Sequence, residues 1–117
     1  LNAFIVISPY LKAGVVLSPA TNEDTLKYVL DKIDMILLMT INPGEAGPGF
    51  HEELLTKIKN VRELIGDRDI DLEVDGGIDN TNIAKCKEAG VNVFVSGGYV
   101  FKGDIAEKIK TLREALK

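Results

Sequence analysis

From Ala13 onward the chain alternates short, almost wholly apolar stretches with segments of helical period, and this alternation constrains the fold more than any other feature. Ala13-Gly14-Val15-Val16-Leu17, Met35-Ile36-Leu37-Leu38-Met39-Thr40-Ile41 and Val91-Asn92-Val93-Phe94-Val95 have the length and composition of buried strands. Ile70-Asp71-Leu72-Glu73-Val74 alternates apolar with acidic residues and delivers Asp75 to a strand end, followed by Gly76 and Gly77. Near-continuous apolar strands want both faces covered. The expectation is therefore a parallel sheet with helices outside it, either doubly wound or part of a (β/α) barrel.

The helical segments carry their own punctuation. Thr21 or Asn22 can cap a single helix whose stripe is Leu26, Val29, Leu30 and Ile33, with Glu23 and Asp24 in its first turn. Leu54, Leu55, Ile58, Val61, Leu64 and Ile65 form the next stripe, which Gly66 ends. Asp79, Asn80 or Thr81 can cap a helix bearing Ile83, Ala84 and Ala89 that stops at Gly90, and a last amphipathic helix is expected over residues 105–116.

The turns separate the two architectures. A doubly wound dinucleotide fold carries its glycine fingerprint at the first strand-to-helix turn. Here the glycines follow the second, third and fourth strands of the repeat, in residues 44–49, at Gly76-Gly77 and at Gly97-Gly98. In a barrel those strand ends meet around one mouth, where glycine-rich loops commonly hold phosphate. Residues without Cβ let backbone N–H groups approach an anion, and Asp75 stands beside them as an acceptor or base.

Composition narrows the class. The 117 residues, 45% hydrophobic and 27% charged, suit one small soluble domain, and a net charge of −4 offers no electrostatic footprint for nucleic acid or an anionic membrane. The single Cys86 can form no internal disulfide, and no basic leader or bilayer-length apolar run is visible, so a reducing, cytoplasmic setting is expected.

The N-terminus is cramped. Ala3-Phe4-Ile5-Val6-Ile7 reads as another buried strand ended by Ser8-Pro9-Tyr10, yet only Leu11 and Lys12 precede the next one. Parallel neighbours need a crossover of a dozen or more residues. The two strands therefore form a hairpin, or something that belongs between them is absent.

Four motifs in order carry a family resemblance. They are Ala13 through Thr21, Leu37-Leu38-Met39 leading to Asn42-Pro43-Gly44, Glu73-Val74-Asp75-Gly76-Gly77, and Val95-Ser96-Gly97-Gly98 with Phe101. Together they resemble the last four strand-loop units of ribulose-phosphate 3-epimerases, while residues 5–11 resemble that family's first strand. The resemblance implies a (β/α)8 TIM-barrel type fold, here partial. Residues 1–117 would form a single partial barrel domain, with 1–11 as the first-strand-like segment and 12–117 as the last four strand-helix units. A complete barrel takes about 200 to 250 residues. The second, third and fourth strands are thus expected to be missing at the Leu11–Lys12 junction, and the chain to be an incomplete record or product of a longer epimerase.

The resemblance also implies chemistry. Inverting carbon 3 of a ketose phosphate, D-ribulose 5-phosphate to D-xylulose 5-phosphate in the pentose phosphate pathway, needs two acid/base groups on opposite faces and stabilisation of an enediolate. The family is understood to use two aspartates and a divalent metal, usually zinc, with iron, manganese or cobalt as alternatives, held by those aspartates and two histidines. Only Asp75 of that set is carried over, as one acid/base group and one metal ligand. Ala46, Gly47, Pro48 and Gly49 match the loop that closes over substrate. Gly76, Gly77, Gly97 and Gly98 match backbone donors to the phosphate, and Met39 matches a methionine lining the metal pocket.

There are departures. Glu45 stands where the family has phenylalanine, Pro48 where it has glutamine and Tyr10 where it has a serine, changes that add negative charge and remove a donor near an anionic ligand. The sole histidine, His51, falls where the pattern has no ligand and reads as a solvated helix-start residue, while Met39 reads equally as core. The expected partner is a sugar phosphate, with no nucleic acid and no membrane. A homo-oligomer is expected to cover an unclosed sheet. Alternatives are an allulose 6-phosphate epimerase, a half-barrel that binds sugar phosphate without turnover, and a purely structural half-barrel that dimerises.

Overall fold

The computed structural model describes residues 11–41 and 50–117. The expected first strand, Tyr10, and residues 42–49 of the glycine- and proline-rich loop lie outside them. The described elements are β1 (Gly14–Leu17), β2 (Met35–Met39), α1 (Leu54–Ile65), β3 (Asp71–Asp75), α2 (Ile83–Ala89), β4 (Val93–Val95), α3 (Gly98–Phe101) and α4 (Ile105–Ala115). The four strands form one sheet in the order β1-β2-β3-β4, and every pairing is parallel. A doubly wound sheet reverses its strand order at a switch point. This one advances by one strand per helical crossover without reversing, which is the path of a partial (β/α) barrel.

Register divides the sheet into two unlike faces. Ile36, Leu38, Leu72 and Val74, all at most 2% exposed, point to one face and join a core with Ile58, Val61 and Ile65 of α1, Ile83 and Cys86 of α2, and Leu112 of α4. Each such side chain removed from water is worth about 1.5–3 kcal/mol. The alternate positions point the other way. In one row Val16 pairs Leu37, Leu37 pairs Glu73 and Glu73 pairs Val93; in the next Met39 pairs Asp75 and Asp75 pairs Val95. Val16 is 60% exposed and Leu37, Met39, Glu73 and Asp75 are half-buried. The expectation that both faces are covered is corrected accordingly: among the described residues, helices cover only one.

Local structure departs from the expectations in two places and decides between the two candidate caps in a third. The stripe Leu26, Val29, Leu30 and Ile33 is buried as expected, but it is carried by two 3-10 turns, Glu23–Tyr28 and Leu30–Lys32, with Val29 between them and Ile33 just after, rather than by one α-helix. A 3-10 turn rises ~2.0 Å per residue against ~1.5 Å for an α-helix, so the short crossover from β1 to β2 gains length while keeping the same stripe inward. Asn22, not Thr21, is the cap, its Oδ1 accepting from the Asp24 N–H at 2.8 Å. Finally, α3 was not anticipated, and it separates β4 from α4, whose cap is Asp104.

One buried cation ties the crossover down. Lys57 of α1 is 7% exposed, and its Nζ donates to the carbonyls of Ser18 (2.9 Å), Pro19 (3.1 Å) and Thr21. Burial pushes its pKa down, opposed by the nearby Glu23 carboxylate. The loop leaving β1 is thus held against α1 by one side chain with three acceptors.

Candidate functional site

Because all four strands run the same way, their C-terminal ends share one edge, and a cavity of about 850 Å³ opens there. Asp75, Gly76, Gly77, Gly97 and Gly98 all line it. Residues separated by up to 23 positions are thereby brought to one space. The structure places Asp75 as the last residue of β3, half-buried on the uncovered face. Its backbone carbonyl accepts from the Thr40 N–H at 2.9 Å, and among the described residues no donor bonds its carboxylate. Met39, its ladder partner, is half-buried on the same face but is not among the lining residues. Ala46, Gly47, Pro48 and Gly49 lie outside the described residues.

The two glycine turns are built differently. Gly76 has φ +132°, and a Cβ there would come within 2.8 Å of the Ile41 backbone nitrogen and 3.0 Å of the Thr40 Oγ1. The buried Thr40 hydroxyl donates to the Gly76 carbonyl at 2.5 Å, locking the exit of β3 onto the end of β2. Packing therefore demands glycine at this position. At Gly97 and Gly98 a Cβ would meet no protein atom within 4 Å, and neither has positive φ. Packing does not explain those glycines.

Sequence reading missed four polar residues here. Lys85 of α2 bonds the Glu52 carboxylate across the flank of the cavity, and that bond, followed by the carboxylate charge, raises the Lys85 pKa. Lys102, just after α3, also lines the cavity. Asn82 is 6% exposed, its Nδ2 donating to the Gly77 carbonyl at 2.8 Å and its Oδ1 accepting from the Asp79 N–H at 3.0 Å. Ser96 Oγ donates to the Ile78 carbonyl at 2.7 Å, linking the two glycine turns. Ser96 lies inside a motif quoted for its glycines, and no motif announces Asn82, Lys85 or Lys102, because their partners are set by the fold.

The remaining candidates resolve simply. His51 pairs with Glu53 (Nδ1 to Oε1, 3.3 Å), its backbone N–H donating to the Thr40 carbonyl at 3.1 Å. Cys86 is buried in α2, and burial pushes its thiol up to about 11, so it is protonated and inert at neutral pH. Among the described residues no group of three or more His, Cys, Asp or Glu side chains converges to hold a metal. Asp75 alone does not make a divalent-metal site, and these residues do not fit the group without ligands from elsewhere. No described helix is long and apolar enough to cross a membrane.

A consecutive parallel sheet with a carboxylate and two glycine turns at its C-terminal edge has the layout of the site-bearing end of a (β/α) barrel. Residues 8–101 match the model of the ribulose-phosphate 3 epimerase family, and the chain belongs to that family. It is 52% identical over 92 residues to the ribulose-phosphate 3-epimerase of Serratia marcescens, covering 77% of this chain and 44% of that protein. It is 44% identical over 108 residues to the Escherichia coli K12 enzyme, covering 90% and 48%, and 42% identical over 105 residues to the chloroplastic ribulose-5-phosphate-3-epimerase of Arabidopsis thaliana, covering 87% and 37%. The chain spans half or less of the length of these three curated relatives.

Proposed function

We propose that this chain takes part in epimerising carbon 3 of a ketose phosphate, D-ribulose 5-phosphate to D-xylulose 5-phosphate. The observation that carries the reading is the convergence of Asp75 with both glycine turns on one cavity. A phosphate seated against the backbone N–H groups of the two turns would fix one end of an extended five-carbon substrate, leaving carbon 3 to face the β3 carboxylate. Asp75 takes the carbon 3 proton, the electron pair moves into an enediolate, and a proton returns. Return from Asp75 itself restores the starting sugar. Inversion needs a second acid on the opposite face, and in this reading that acid comes from outside the described residues.

The same reading puts the reaction in the pentose phosphate pathway and the protein in the cytoplasm, with a second copy of the chain over the uncovered sheet face. A divalent metal, zinc by the family resemblance, would take Asp75 as one ligand, and its other ligands would also lie outside the described residues.

A second reading keeps the same cavity and glycine turns but has them bind sugar phosphate without turning it over. One experiment separates the readings: ribulose 5-phosphate is incubated with the protein in D2O and followed by NMR. Solvent deuterium at carbon 3 with xylulose 5-phosphate supports the epimerase. Deuterium with retained configuration supports Asp75 acting without a partner acid. Phosphate-dependent binding with no deuterium sinks both in favour of the non-catalytic reading.

A further inference from the structure

Asn82 sits at the N-cap position of α2 yet makes no side-chain bond to that helix. An N-cap asparagine ordinarily accepts from the N–H two or three residues further on. This one points backward. Both ends of its amide are spent on the turn after β3, with Nδ2 on the Gly77 carbonyl at 2.8 Å and Oδ1 on the Asp79 N–H at 3.0 Å. The side chain is buried at 6% exposure, and the turn it grips lines the cavity.

The orientation of that turn has a consequence. Fixing the Gly77 carbonyl toward Asn82 sets the plane of the peptide joining Gly77 to Ile78, and so the direction of the Ile78 N–H. Among the described residues no acceptor takes the N–H of Gly77 or of Ile78. Gly77 has φ +67°, a conformation left free to swing in a glycine unless something holds it. On the other side, Ser96 holds the Ile78 carbonyl at 2.7 Å, so the turn is gripped from both flanks while its donors stay unengaged.

We propose that Asn82 is a positioning residue that presets the Gly77-Ile78 backbone donors for an oxyanion, the phosphate of the substrate class assigned above. The inference rests on that assignment and adds the residue that makes the turn receptive before the ligand arrives. The helix thereby forgoes a side-chain cap in favour of a preorganised turn.

The test titrates inorganic phosphate into the 15N-labelled chain and follows the Gly77, Ile78 and Gly98 amides, alongside a thermal melt. In the wild type all three amides shift. Asn82→Ala weakens phosphate binding by roughly tenfold, the scale of one buried hydrogen bond lost, and the Gly77 and Ile78 responses collapse while the Gly98 response persists. General loss of stability would not split the two turns in that way. Asn82→Asp, which keeps an oxygen facing Asp79 and removes the donor to Gly77, gives the same split and serves if Asn82→Ala does not fold. Variants that bind like the wild type with all three amides shifting overturn the positioning role and leave the proposed function standing. A wild type whose amides ignore phosphate overturns both.

Discussion

The two faces of β2 and β3 are made from the same strands and do opposite work. On one, Ile36, Leu38, Leu72 and Val74 are sealed under α1 and α2; on the other, Met39, Glu73 and Asp75 remain half-buried, and Asp75 reaches the cavity. A one-residue step along β3, from Val74 to Asp75, passes from the sealed core to the site, because successive side chains of a strand point to opposite faces. Packing is concentrated on one side, and the proposed function puts the chemistry on the other, so substitutions on the two faces should separate cleanly.

The largest effect expected is on the uncovered face. Asp75→Asn should reduce deuterium exchange at carbon 3 of ribulose 5-phosphate by about 10²–10⁴-fold, the usual contribution of a general base, with the melting temperature nearly unchanged. A comparable fall in stability would break the division between the faces. On the covered face, Leu72→Ala should cost about 2–5 kcal/mol in denaturant unfolding, since Leu72 is 0% exposed at the centre of the core.

The glycine turns sharpen the comparison. Gly76→Ala places a Cβ 2.8 Å from the Ile41 backbone nitrogen at φ +132°, and should cost about 1–3 kcal/mol by chemical denaturation. Gly97→Ala meets nothing within 4 Å, so it should change stability by less than about 0.5 kcal/mol while weakening phosphate binding in a titration. Equal stability losses at the two positions would remove the distinction between a glycine required by packing and one that the proposed function assigns to phosphate.

A pH dependence is expected on the covered face. Burial raises the Cys86 thiol from 9.0 to about 11. The folded chain therefore holds that proton more tightly than the unfolded chain does, and the resulting stabilisation is complete below pH 9.0 and lost as pH rises toward about 11. The stability gap between the wild type and Cys86→Ala should narrow over that interval in denaturant melts at stepped pH. A gap independent of pH would mean that the thiol is solvated.

Much of this was legible in the residues, and the exceptions share a cause. The four described strands, their parallel order, the inward stripes of residues 26–33, α1 and α2, and the place of Asp75 at a strand end follow from apolar period and turn residues, which are local; in α4 the stripe is only partly inward, with Leu112 buried but Ile105 and Ile109 exposed. The 3-10 winding of residues 23–32 was not legible, because Leu26, Val29, Leu30 and Ile33 give the same inward stripe under either winding. Met35, Leu37 and Met39 read as covered on both faces, since an apolar side chain carries no mark of what will lie over it.

What the sequence determined by itself was the repeat of strand and helix, the identity of the one carboxylate and the glycines that flank it, because each of these depends on neighbours a few positions away. Only the tertiary structure decided that Gly76-Gly77 and Gly97-Gly98 share a cavity, that Asn82 serves the turn instead of its helix, and that Lys85 meets Glu52 across 33 positions. Those contacts join segments far apart in the chain, and no local preference of either segment encodes the geometry in which the sheet brings them together.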